Sequence, residues 1–116
     1  MNGRIDIQIP KNITPFLDAA FTFVALQSTI NSKYSSGFDK FEFKKRFSSS
    51  IQDSVDFKFQ ANEDELRLIF DLTRSLMNNP QFMTAKERQD NNLTDFSDYI
   101  DKQVKHYKTL YISSHF

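Results

Sequence analysis

The chain has 116 residues, no cysteine, and 15 basic against 15 acidic side chains, so its formal net charge is zero. The missing thiols exclude disulfides, thiolate metal sites and cysteine nucleophiles. The balanced charge argues against a dedicated binder of nucleic acid or membrane surfaces, and the length suits a single domain, 1–116, that buries about two thirds of its unfolded surface.

The first element is a strand over 4–9. Ile5, Ile7 and Ile9 alternate with Arg4, Asp6 and Gln8, which is the pattern of a half-buried strand. Pro10 ends it. Residues 15–31 follow as a helix, with Thr14 placed to cap free N–H groups and Pro15 at the first helical position. Phe16, Ala20, Phe23 and Ile30 fall on one face, and Leu17, Phe21 and Val24 on the next. With Leu26 added, apolar side chains cover more than half of the circumference. Such a helix is expected to be the central element, covered on most sides by the fold or by a partner. Its apolar run, about 12 residues interrupted by Asp18, is too short for the ~20 a membrane span needs.

A polar turn at 32–37 leads to a helix over 38–50. It carries Phe38, Phe41, Phe43 and Phe47, and Glu42 and Arg46 are spaced to pair. A second alternating run, Val55, Phe57 and Phe59, gives a strand over 54–60. A helix over 63–78 opens with Asn62 and Glu65 in capping-box spacing. Its apolar face is Leu66, Ile69, Phe70, Thr73 and Met77, flanked by Leu72 and Leu76, and Asn79-Pro80 stop it. Residues 81–92 read as irregular, with room for one helical turn at 84–89. The last helix, 94–112, places Phe96, Tyr99, Ile100, Val104, Tyr107 and Tyr111 on its apolar stripe. Asp98–Lys102 and Asp101–Lys105 have the favourable spacing for ion pairs.

The fold class is therefore α+β and mostly helical: two short paired strands and about four helices. Residues 5–9 and 55–59 also echo one another, giving a strand-helix-helix order repeated once. Two strands alone are marginal in water, so helices or the matching edge of a second copy must support them.

No motif for catalysis, a cofactor or a metal stands out. His106 lies among Lys102, Lys105 and Lys108 on a helix face that reads as solvated, and His115 is in the tail. The Asn12-Ile13-Thr14 and Asn92-Leu93-Thr94 triplets match the glycosylation pattern but coincide with helix starts, where Asn and Thr cap. The first residues carry no apolar signal region, and a cytoplasmic protein is expected.

The expected function is non-enzymatic: a small protein-protein interaction or regulatory module that also self-associates. The richness in Phe, Asn, Lys, Ile and Ser suggests an AT-rich coding sequence, as in low-GC bacteria, their phages and mobile elements, which carry many such modules. Tyrosines combine an apolar body with a wet tip and are enriched at interfaces. Tyr99, Tyr107 and Tyr111, with Lys102 and Lys105, are the candidate partner contacts. The rival reading is a nucleic-acid accessory that uses Lys40, Lys44, Lys45 and Arg46 beside Phe41, Phe43 and Phe47, stacking bases and contacting phosphates.

Overall fold

Alternation of apolar and polar residues produces the sheet, as the sequence predicts. In the computed structural model, which describes residues 3–25, 38–50 and 56–111, β1 (Ile5–Ile9) pairs antiparallel with β2 (Phe57–Ala61). The register sets Ile5 opposite Ala61, Ile7 opposite Phe59 and Ile9 opposite Phe57. Ile5, Ile7, Ile9, Phe59 and Ala61 are buried on the inner face, while Asp6, Gln8, Lys58 and Gln60 stay exposed on the outer one. The second strand extends one residue past the predicted end because Ala61 still faces Ile5 and is fully buried. Ser54 and Val55 lie outside the described residues.

Among the described residues there are five helices: α1 (Thr14–Ala25), α2 (Lys40–Ser50), α3 (Glu63–Asn78), α4 (Ala85–Asp90) and α5 (Leu93–Leu110); α2 and α3 pack on β2, and α4 packs on α5. The fold is α+β, with the order strand-helix-helix occurring twice and α4 inserted in the second round. Among the same residues, no helix is long and apolar enough to cross a membrane.

The centre of the molecule is α3, not α1. It packs against α1, α5 and β2, and Leu66, Leu68, Ile69, Leu72 and Leu76 are buried along it. By contrast, the described side chains of α1 are buried along one side, through Leu17, Ala20 and Phe21. Pro15, Ala19 and Thr22 face solvent, and Phe23 is 43% exposed. Asp18 on its flank accepts hydrogen bonds from Lys44 Nζ (2.8 Å) and Ser48 Oγ (3.0 Å) on α2. The apolar content of α1 therefore overstates its burial, since its packing partners lie on one side. The predicted stretch beyond Ala25, with Leu26 and Ile30, lies outside the described residues.

Local chemistry sets the helix ends. The predicted capping box opens α3: Asn62 Oδ1 accepts from Glu65 N, and Glu65 Oε1 accepts from Asn62 N, both at 2.9 Å. Asp39 caps α2 by accepting from the backbone N–H groups of Phe41 and Glu42. Thr14 does not cap α1. Its hydroxyl donates back to the Pro10 carbonyl at 3.0 Å, and the helical ladder starts at the Ile13 carbonyl. The tight turn from Pro10 already brings the chain into helical geometry, so Pro15 falls one place further in than predicted.

The segment read as irregular contains α4, opened by a second capping box between Thr84 and Glu87. Met83, just before it, is fully buried. Asn92 then adopts left-handed backbone geometry, φ 54° and ψ 42°, and α5 starts at Leu93. Asn tolerates that conformation better than most residues because its short polar side chain can bond locally. The Asn92 side chain makes no cap bond, contrary to the predicted capping role.

Truncating the centre of α3 tests this arrangement. Leu72→Ala should cost about 2–5 kcal/mol in urea-monitored unfolding, because Leu72 sits at 2% exposure in the core. Lys102→Ala, on the exposed side of α5, should change stability by no more than about 0.5 kcal/mol.

Candidate functional site

Among the described residues, two concave regions flank the sheet. The first is a groove of about 310 Å³ where the β1–α1 turn meets the α4–α5 corner. Pro10, Ile13 and Phe96 supply its apolar surface, and Gln8, Asn12, Asn91 and Asn92 bring side-chain amides to it. Asp95 and Tyr99 complete the lining. Several of these groups are already ordered by one another. Asn12 Nδ2 donates to the carbonyl and to the side-chain oxygen of Asn91, both at 3.2 Å, and Asn91 Nδ2 donates to the Glu87 carbonyl at 2.8 Å. The Gln8 backbone N–H donates to the Tyr99 hydroxyl at 2.8 Å. The left-handed residue Asn92 lies in this wall, where a backbone outlier is most informative.

The second region is a polar cleft of about 370 Å³ lined by Arg4, Phe38, Asp39, Glu42, Arg46, Asn62, Asp64 and Glu65. Glu65 is only 3% exposed. Besides capping α3, its carboxylate accepts from Arg4 Nη1 at 2.8 Å and pairs with Arg46. Burial lowers the Arg46 pKa, the neighbouring Arg4 charge lowers it further, and Glu42 opposes them. Glu42 acts on the Arg46 charge as its spacing predicts, and Arg46 also pairs with Glu65, because a buried carboxylate needs compensation more than a solvated one does. Both arginines of this cleft are engaged by Glu65, which links the start of β1, α2 and α3.

The predicted partner residues separate. Tyr107 is fully buried, and its hydroxyl donates to the Gly3 carbonyl at 3.0 Å. Its ring lies 4.6 Å from that of Tyr111, centroid to centroid, and Tyr111 packs so closely over Gly3 that a Cβ there would run into its phenol ring. These two tyrosines hold the start of the chain rather than present an apolar surface to a partner. Tyr99 lines the groove with its hydroxyl engaged. Lys102 and Lys105 are exposed on the outer side of α5. Asp101 does not pair with Lys105; it takes both of its bonds from Arg74 of α3, at 3.1 Å. Arg74 Nη2 alone reaches both carboxylate oxygens, so a single nitrogen from the neighbouring helix serves Asp101.

The basic cluster on α2 is also divided. Lys44 is bound to Asp18 and Arg46 to Glu65, while Lys45 is exposed and Lys40 half-buried. Phe43 and Phe47 are buried in an aromatic core with Phe21 and Phe59. Of the three phenylalanines beside the cluster, only Phe41, at 67% exposure, is open for base stacking. His106 is exposed on α5, and among the described residues no three His, Asp or Glu side chains are placed to hold a metal ion.

Asn12, Asn91 and Asn92 escaped notice as site residues in the sequence because amides have no motif of their own. The signal present was the Asn91-Asn92 pair between two helical patterns, which is turn chemistry. Comparison with protein-family models, curated proteins and solved structures gives no match for this chain.

Alkaline titration tests the placement of the tyrosines. Burial pushes Tyr107 up to about 12, and the Glu63 and Tyr111 charges add to the rise while a backbone hydrogen bond from Glu63 opposes it. Its folded pKa lies above the unfolded value of about 10. Its contribution to stability is therefore complete below pH ~10 and falls away between about 10 and 12. Spectrophotometric titration should show one phenol ionising last, near 12, and Tyr107→Phe should remove that step and flatten the loss of stability.

Proposed function

We propose that the chain is a non-enzymatic interaction module whose groove at the α4–α5 corner takes a short extended segment of a partner protein. The observation that carries this reading is the groove lining, where Gln8, Asn12, Asn91 and Asn92 border apolar residues. Asn and Gln each offer a donor and an acceptor, which is the pairing a peptide group requires. They do not exchange protons near neutral pH, so they suit recognition rather than acid–base chemistry. Pro10 and the small exposed part of Phe96 provide apolar area for a partner side chain, and the exposed Lys102 and Lys105 on α5 favour the approach of an acidic partner.

A random-peptide display library panned against the full chain, followed by NMR titration of the enriched peptides, tests this. Binding should shift the resonances of Asn12, Asn91, Asn92 and Tyr99, and Asn91→Ala should weaken it about tenfold, or ~1.4 kcal/mol. Shifts confined to other surfaces, or no enriched peptide at all, would overturn the reading. Salt-sensitive binding of single-stranded or duplex DNA, lost on Lys40→Ala and Lys45→Ala, would replace it with the nucleic-acid alternative.

A further inference from the structure

The two edges of the sheet are treated differently. In an antiparallel pair, directly opposed residues alternate between exchanging backbone hydrogen bonds and pointing those groups away from each other. The Gln8 N–H goes to Tyr99, away from β2, so Gln8 and Lys58 are a non-bonded pair. By alternation Asp6 and Gln60 are another. The N–H and C=O groups of Lys58 and Gln60 therefore face outward along the free edge of β2. On the β1 side the equivalent edge is guarded by α5, through the Tyr99 and Tyr107 hydroxyls at Gln8 and Gly3. On the β2 side, among the described residues, only the Gln60 carbonyl is met, by Arg4 Nη1 at a long 3.4 Å. That carbonyl keeps a second lone pair.

We propose that this edge pairs with the same edge of a second copy, joining two hairpins into one four-stranded antiparallel sheet. The sequence of β2 is self-complementary in the required register. A two-fold axis at Phe59 sets Lys58 opposite Gln60 of the second copy and Gln60 opposite its Lys58. Both are outward-facing positions, so each such pair exchanges two backbone hydrogen bonds. No like charges meet: the lysine of each strand faces a neutral amide. A shift of two residues that set Lys58 against Lys58 would oppose two cations, so charge disfavours that alternative register. The pairing would also relieve the marginal stability of an isolated two-stranded sheet. It uses the edge remote from the amide-lined groove, which borders β1. Partner binding and self-association are thus separable.

Sedimentation of the full chain and of three position-60 variants tests the proposal. The wild-type chain should show a concentration-dependent dimer. Gln60→Glu places a carboxylate opposite Lys58 and should tighten it, while Gln60→Lys opposes two cations and should weaken it, roughly tenfold each because the pair occurs twice. Gln60→Pro should give a monomer with native circular dichroism, since the amide it removes takes no part in the β1–β2 ladder. If that variant fails to fold, the two charge variants still decide. A wild-type chain that stays monomeric at near-millimolar concentration, or a dimer indifferent to the charge at position 60, would overturn the proposal.

Discussion

One buried carboxylate fixes how one end of the sheet, where β1 begins and β2 ends, meets the helices. Glu65 sits in the first turn of α3, where the helix dipole favours negative charge, and completes the capping box with Asn62. The same group binds Arg4, just ahead of β1, and Arg46, on α2. A carboxylate at 3% exposure would be costly alone. With two guanidinium groups and a backbone N–H, its acceptor capacity is used, and three distant segments are bound to one point. Arg46 also lies over the Phe59 ring at 4.8 Å, so the ionic contact is continuous with the aromatic core beneath β2.

From that point the apolar packing follows. The alternating strands lay Ile5, Ile7, Ile9, Phe59 and Ala61 on α3 and the aromatic cluster of α2. The far side of α3 accepts α5, tied by Arg74 and Asp101. Helix α5 then runs back along β1, and its tyrosine hydroxyls meet the backbone at Gln8 and Gly3. This closes one sheet edge, leaves the other unguarded by described groups, and forms the groove where α5 begins. The proposed partner recognition would use the groove, and the proposed self-pairing the β2 edge, so the two would not compete.

Both strands, the span of α3 and its cap were legible because each rests on a signal within a few residues: alternation, a 3.6-residue stripe, or the Asn62–Glu65 spacing. The centre of the fold was misplaced because apolar content is local information and coverage is not. Ala19 and Phe23 are apolar yet stay exposed on α1, whereas α3, with more charge, is flanked on several sides. The ion pairs gained partners from other elements for a related reason. Arg46 also reaches the buried Glu65, and Asp101 takes its bonds from Arg74 of α3. Of the candidate groove, Tyr99 was singled out in the sequence, though for its interface character rather than its hydrogen bond. Asn12, Asn91 and Asn92 were read as caps or loop, since their convergence depends on how α1 and α4 meet.

The measurement that bears most directly on this arrangement is the unfolding free energy of Glu65→Gln, combined with amide hydrogen exchange. Glutamine preserves the shape of the capping residue and removes only the charge. If Glu65 ties the segments together, the loss should be about 1–3 kcal/mol, with faster exchange at both β1 and α2, which Arg4 and Arg46 anchor. A change below about 0.5 kcal/mol, with exchange altered only in the first turn of α3, would mean that Glu65 is a helix cap and nothing more.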